Sequence, residues 1–586
     1  MTTNWQERPF SEEKFASLCA LGLSELQARI LAARGIGADG LDAFLSPSIQ
    51  NLAAPQSLPG IVRAADVVLE YIAAKRKIVI FGDYDCDGVC ATAIMTRCIE
   101  ALGGIAAPFL PDRMSEGYGM TDASVARMLS EIPDVGLVVT VDNGINSVTQ
   151  VEALKAKGIA VVITDHHLPG EELPIADALV NPKVDSPEEL GGLCGAAVAF
   201  MLANQMVSVA RKSGSYSGPS IGGAMLVLAG LATVTDIMPL TGQNRILVAE
   251  SLRRFQSWAP IGLKELLDRA ARTARQTMTS KDYGFLLGPR INAAGRVASG
   301  MEALELLSAT DREIARECAR IVDERNLERK AEESKAVEDA WSKIVPGASA
   351  QVIDLPDAHP GVAGIVAARI LDRLGKDAQS FSGPVCVIAR GHGSARSPEL
   401  INIRDAMDAC KDVLERFGGH AAAGGFKVKS GMVDEFRTRL CRYCSEMLSA
   451  VAEGDGEDRV CLATHKIDAW VTPADMTFEF ADWLTRLEPF GEGNCEPLFA
   501  MRDVEFSDIK LLGIDGRHLQ FCFKQQSMPR AIWWGAGDKI EEFRSGLNRR
   551  WNLLFRLFSS DYGKPHAELS LISIERADSN DTTKGA

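Results

Sequence analysis

The chain has 586 residues, 46% of them hydrophobic and 24% charged, which excludes a fibrous or largely disordered protein and sets a soft expectation of about four domains. A net charge of −15 argues against a protein that coats nucleic acid without selectivity, because such binding rests on Lys and Arg neutralising phosphates. A local channel or bound cations can still reverse that field.

The longest apolar runs, such as 222-GGAMLVLAGLA-232, stop well short of the ~20 residues that cross a bilayer. The first residues lack the basic and apolar segments of a secretory signal. Several of the 13 cysteines (Cys98, Cys386, Cys522) lie inside apolar patterns, so the expectation is buried thiols in a reducing cytoplasm and no membrane association. Cys441 and Cys444 form a C-x-x-C with no second pair, a poor basis for zinc.

Residues 1–60 read as short helices with turns, an extension leading into the main domain. From Lys77 the texture becomes strand, acidic turn, helix. The run 77-KIVIFGD-83 ends in Asp83, 137-LVVTVDNG-144 holds Asp142, and 159-IAVVITDHH-167 ends in Asp165, His166 and His167. Continuous Val/Ile runs alternating with helical segments predict a parallel sheet covered on both faces, filling residues 61–300. Ligands of such sheets bind beyond the carboxyl ends of the strands, where all three acidic clusters fall.

Between Met301 and Val345 there is neither Gly nor Pro, which predicts a connecting helix. About 35 residues would reach about 50 Å, enough to bridge two lobes or to lie along one domain. A second α/β region follows at 346–452, with strands near 350-AQVIDL-355 and 384-PVCVIAR-390, and then a linker at 453-EGDGED-458. Five short β-like runs within 459–575 suit a small barrel of the oligonucleotide-binding type, and residues 576–586 read as a disordered tail.

The run 83-DYDCDG-88 packs Asp83, Asp85 and Asp87 into one turn, and Asp142, Asp165 and Asp236 join them if the strands are neighbours. Two carboxylates ~5 Å apart repel by roughly 3 kcal/mol at an effective dielectric of ~20. Such a cluster calls for a cation or for raised pKa values. Oxygen-rich sites with an imidazole suit Mg²⁺ or Mn²⁺ better than structural zinc. The segments 359-HPGVAGIVAARI-370, 391-GHGSARS-397 and 417-FGGHAAAGG-425 read as anion-binding turns, the first opening a helix, with Arg396 between Ser394 and Ser397 as a phosphate clamp. Acidic metal site and phosphate-gripping loops together point to phosphoester or phosphoanhydride hydrolysis.

The ordered set DYDCDG, 111-PDRMSEGYG-119, VDNG, TDHH, 233-TVTDIMPL-240 and 288-GPRINAAGR-296 resembles the DHH phosphoesterase superfamily. With HPGVAGIVAAR, GSARS, GGHAAAGG and 488-EPFGEGNCEP-497 it is similar to the bacterial RecJ exonucleases over residues 60–575. Cys86, where the family often has Ala, and Gly424, which extends the last motif, are small departures.

The resemblance implies a DHH catalytic domain, a connecting helix, a DHHA1 domain and an OB-type barrel. It implies a 5′→3′ exonuclease on single-stranded DNA, dependent on two Mn²⁺ or Mg²⁺ ions and releasing 5′-mononucleotides in repair and recombination. The metal ligands would be Asp83, Asp85, Asp142, His166 and Asp236, with His167 close to the metal or the scissile phosphate. Arg113, Arg290 and Arg296 would face substrate, and Ser394, Arg396 and His420 would hold the strand and its 5′ end. A monomer fed by a helicase and a single-strand-binding protein fits that role. Phe521, Trp533, Trp534 and Trp551 are candidates to stack bases, with at most one of the adjacent Trp533 and Trp534 doing so. Two other readings stay open: a DHH-family enzyme on short oligonucleotides or nucleoside bisphosphates, and a catalytically inactive DNA-binding factor.

Overall fold

The computed structural model describes residues 5–577 apart from 114, 118, 272–276, 378–380, 399, 454–464, 526, 548 and 561–564. The expected linker at 453–458 and tail at 576–586 fall almost wholly outside those residues. The chain divides into two units, one of residues 53–238 and 242–460, the other of residues 1–52, 239–241 and 461–586.

In the first unit, β1 (Lys77–Phe81), β2 (Ile105–Phe109), β3 (Val135–Val141), β4 (Ala160–Thr164) and β5 (Ala178–Val180) form a parallel sheet in the order β2-β1-β3-β4-β5. Every residue of β3 is buried, as a strand covered on both faces must be. The strand order reverses between β1 and β3, which makes their carboxyl ends the switch point where such sheets open a crevice.

Around the sheet lie α1 (Cys86–Ala101), α2 (Gly195–Lys212) and α3 (Gly222–Thr235), which pack on one another. Further on, α4 (Gly288–Val297) follows a π-helical turn at Asp282–Leu287. Next comes α5 (Arg312–Ser342), 31 residues without a break and so about 47 Å long. Near its start, Arg312 and Arg316 pair with Glu265 at 2.6 and 3.3 Å. Near its end, Ala336 and Ala340 enter a core with Ile353, Val362, Val366 and Val387. Of the two arrangements open to this helix, the one that joins two lobes is found.

The second lobe holds β6 (Gln351–Asp354), α6 (Ala363–Asp377), β7 (Val385–Ala389), β8 (His392–Arg396), β9 (Leu414–Gly419) and β10 (Ala423–Val428), in the sheet order β9-β10-β8-β7-β6. Two of the expected anion-binding turns are therefore strands. GHGSARS is β8, and FGGHAAAGG is the end of β9, a hairpin and the start of β10. Gly391 and Gly419 turn the chain at φ 81 and 136, but two other glycines make room for packing. A Cβ on Gly393 would meet the Phe426 ring at 2.2 Å, and one on Gly424 would meet Met407 Cε at 2.8 Å. HPGVAGIVAARI does open a helix, through a 3₁₀ turn at Pro360–Val362.

The second unit carries β11 (Phe499–Leu512), β12 (His518–Phe523), β13 (Ala531–Trp533), β14 (Arg550–Ser560) and β15 (His566–Arg576). Their order is β11-β12-β13-β15-β14, and pairing of β14 with β11 closes the barrel. Helices at Glu12–Ala20 and Glu25–Ala32 share its core, where Leu18, Ile30 and Leu31 are buried in one cluster with Leu484, Phe499 and Phe506. The N-terminal residues, expected to lead into the parallel-sheet domain, thus complete the barrel's hydrophobic layer instead. Asp468, fully buried, fixes them through Arg34 at 2.7 Å. Among the described residues, no helix is long and apolar enough to cross a membrane.

Candidate active site at the carboxyl edge of the parallel sheet

Each acidic side chain is placed by the backbone at a strand or helix end. Asp83 follows β1 after Gly82, where a Cβ would stand 2.0 Å from Thr92 Oγ1. Asp85 caps α1, its Oδ1 accepting from the N–H groups of Asp87 and Gly88 at 3.0 and 3.1 Å. Asp142 follows β3 in the left-handed region, at φ 62. Asp236 ends α3 rather than a strand, ahead of Ile237 at φ 56, a rare conformation for a β-branched residue.

His166 lies at the centre. Its Nε2 is 3.1 Å from Asp142 Oδ1, 3.6 Å from Asp236 Oδ2 and 3.7 Å from Asp87 Oδ2. Three overlapping groups each bring their ligand atoms within 4.8 Å of one another: Asp83, Asp85 and Asp142; Asp87, His166 and Asp236; and Asp142, His166 and His167. All five expected metal ligands and His167 are thus brought together.

Asp87 belongs to the acidic turn but is not among the expected ligands. Its two oxygens accept from the first N–H groups of α2, Gly195 and Ala196, at 2.7 Å each. Asp165 turns away from the cluster and organises the turn. Its Oδ1 holds His167 Nδ1 at 2.7 Å and accepts from the N–H of His166, and its Oδ2 accepts from Ile145 N–H.

Burial, then the neighbouring carboxylates, push Asp83, Asp85 and Asp142 above the ordinary range, and push Asp236 to about 9. Burial holds His166 below the usual histidine value, which keeps its imidazole neutral. Burial acts the same way on His167, but the bond to Asp165 outweighs it and raises that residue. Asp83 Oδ1, Asp236 Oδ2 and His166 Nδ1 are buried with no hydrogen-bond partner among the described residues. Oxygen donors that repel one another, lack donors and surround a neutral imidazole fit hard divalent cations.

The basic residues fall into two sets. Arg113 stacks on Tyr84 at 5.1 Å, and Arg296 Nη1 donates to Gly361 O at 3.2 Å, linking α4 to the second lobe. Burial, and then the charge of Arg113, bring Arg296 down to about 10 and lower Arg396. Arg113 and Ser394 line a cavity of about 310 Å³ between the lobes, together with His392, Arg416 and Phe417, which sequence reasoning does not single out as substrate-facing. Arg290 is occupied elsewhere, by Asp323 Oδ1 at 2.8 Å and by Leu286 O. His420 is exposed at the β9–β10 hairpin and does not line that cavity.

The sequence matches family models for the DHH family N-terminal domain over residues 77–231, the DHHA1 domain over 347–446 and the RecJ OB domain over 467–569. It is 33% identical over 543 residues to the single-stranded-DNA-specific exonuclease RecJ of Dickeya dadantii, covering 89% of each chain. The chain belongs to the RecJ exonuclease family. The RecJ of Bacillus subtilis is 30% identical over 535 residues, but the chain spans only 64% of that relative's length. The crystal structure of RecJ from Thermus thermophilus in complex with Mn²⁺ superposes with a TM-score of 0.81 at 28% identity, covering 98% of this chain and 80% of that one. The three parts of the RecJ family coincide with the parallel-sheet domain, the second lobe and the closed barrel.

Proposed function

We propose that the protein is a 5′→3′ exonuclease specific for single-stranded DNA, releasing 5′-mononucleotides in DNA repair and recombination. The observation that carries this reading is the convergence of Asp83, Asp85, Asp87, Asp142, His166, His167 and Asp236 in three overlapping groups whose ligand atoms lie within 4.8 Å of one another, in a chain of the RecJ family. These residues would hold the divalent ions, Asp83, Asp85 and Asp142 on one side and Asp87, His166 and Asp236 on the other. A pair of Mn²⁺ or Mg²⁺ ions bound there supplies Lewis acidity toward a phosphodiester and lowers the pKa of water.

The remaining chemistry belongs to the chain's own side chains. His167, oriented by Asp165 through Nδ1, would exchange a proton with the reacting phosphate or the departing 3′-oxygen. Arg113 and Arg296, held at the lobe boundary, balance the charge that builds on the phosphate. Ser394 and Arg396 grip the terminal nucleotide from the second lobe, and the cavity that Ser394 shares with Arg113 accounts for the choice of an end over an internal bond. Arg290 braces α4 against α5 through Asp323, and His420 meets the strand only at the surface. This reading includes a cytoplasmic monomer supplied with strands by a helicase and a single-strand-binding protein.

A DHH enzyme for short oligonucleotides or nucleoside bisphosphates would have no use for a closed barrel, so the longer substrate is favoured. The test is hydrolysis of end-labelled single strands with Mn²⁺ or with EDTA. A block at the 5′ end should stop the reaction and a block at the 3′ end should not. Digestion from the 3′ end, or faster turnover of dinucleotides than of long strands, would contradict the reading.

A further inference from the structure

The carboxyl edge of the parallel sheet carries cations at both flanks of its acidic centre. In the order β2-β1-β3-β4-β5, the segment after β2 carries Arg113, those after β1, β3 and β4 carry Asp83, Asp142 and His166, and the segment after β5 carries Lys183. Four inter-strand steps at ~4.8 Å put the flanks roughly 19 Å apart.

Lys183 sits in a turn built onto the histidine pair. The buried side chain of Asn181 donates from Nδ2 to His167 O at 3.0 Å and accepts the N–H of Lys183 on Oδ1 at 2.8 Å. Val184 N–H closes the turn on Asn181 O at 3.0 Å. The base of Lys183 is therefore fixed relative to the active-site turn, while its side chain is exposed and forms no ion pair among the described residues. A cation fixed by this turn beside His167, at the mouth of an acidic site and in no ion pair among the described residues, is poised for an anion brought by the substrate.

We propose that Lys183 binds the phosphate that follows the scissile one, on the strand that stays with the enzyme. The proposal rests on the exonuclease reading above. With the terminal nucleotide on the Arg113 and Ser394 side and the scissile phosphate over the acidic centre, the next phosphate along the strand reaches the β5 flank. Lys183 then helps keep the shortened strand in place after each cut.

The experiment compares a 5′-phosphorylated dinucleotide, which has only the terminal and scissile phosphates, with the trinucleotide, which adds the next one. In Lys183→Ala, kcat/KM on the trinucleotide should fall about ten-fold more than on the dinucleotide, chiefly through KM. The salt slope of single-strand binding should drop by about one, and Lys183→Arg should restore most of both. Equal losses on the two substrates, or a wild-type KM for the trinucleotide, would overturn the assignment. Wild-type protein that cleaves neither of these nor a long 5′-phosphorylated single strand would overturn the nuclease reading, and the role of Lys183 with it.

Discussion

Gly195 and Asp142 approach so closely that a Cβ built on the glycine would stand 2.6 Å from the aspartate Cβ and 2.7 Å from its Oδ1. The approach has two purposes. It lets the first N–H groups of α2 reach Asp87, and it holds Asp142 in its left-handed turn beside His166. Gly195→Ala should therefore displace Asp142 by several tenths of an ångström or more. Misplacement on that scale costs on the order of 100-fold in rate. Manganese titration followed by assay of single-strand hydrolysis checks this, and near-wild-type activity would mean that the helix start can yield without disturbing the ligands.

How much of this site the sequence discloses depends on the range of the interaction. Asp83, Asp142 and the Asp165–His167 turn are legible because a buried strand must be a Val/Ile run and the first polar residue after it marks the edge of the sheet. Asp236 carries no such mark, since it ends a helix, and only the family motif around it points to the site. The donors to Asp87 lie more than a hundred residues away at Gly195 and Ala196, a distance no local pattern spans. The strands β8, β9 and β10 are hidden for a related reason. Gly393 and Gly424 clear space for Phe426 and Met407, a packing need that reads locally as a turn. The pairing of Arg290 with Asp323 and the burial of the N-terminal helices in the barrel core are likewise products of tertiary contact alone.

The acidic cluster also sets how stability responds to pH. Asp83, Asp142 and Asp236 titrate above their unfolded values, Asp236 at about 9, so without metal the native state holds protons that the unfolded chain has released above about pH 4. Their contribution is present below the unfolded pKa and is lost as pH rises through the folded one. Asp165, held low by His167 despite its burial, acts in the opposite sense, and its contribution disappears only in acid. The melting temperature in EDTA should fall between about pH 5 and about pH 9, and the gain on adding Mn²⁺ should widen over the same range. Calorimetry in buffers of different ionisation enthalpy should register proton release on Mn²⁺ binding. Stability that rises with pH in EDTA would show that these carboxylates are ionised in the folded apoprotein.

Arg290 and Arg296 lie on one helix but differ in what engages them. Arg290 is held by Asp323, which Arg269 also reaches at 3.1 Å, so its guanidinium braces α4 against α5. Arg290→Ala should lower stability by about 1.5–3 kcal/mol, the range for a charge-assisted bond, with a modest change in KM. Arg296→Ala should instead depress hydrolysis well beyond its effect on the melting temperature. Chemical denaturation paired with steady-state kinetics separates the two. An Arg290→Ala protein of normal stability and poor turnover would return that residue to the substrate-facing set.

Among the aromatic candidates for stacking, the barrel uses three as packing. Phe521 is fully buried, Trp551 is 2% exposed, and Trp533 lies edge-on to Phe543 with the Lys539 ammonium over its ring. Trp534, the next residue along, is 57% exposed and forms a T-shaped contact with His518, its centroid 4.8 Å away. The alternation of a strand end explains the split: neighbouring side chains leave opposite faces of the sheet, so one serves the core and the other faces solvent. Trp534→Ala should weaken single-strand binding by about 1–3 kcal/mol, the worth of one stacked base, without lowering the melting temperature. Phe521→Ala should cost about 3–5 kcal/mol of stability. Fluorescence titration with an oligothymidine reads the first effect and thermal unfolding the second. Unaltered affinity in Trp534→Ala would place the strand on another face of the barrel.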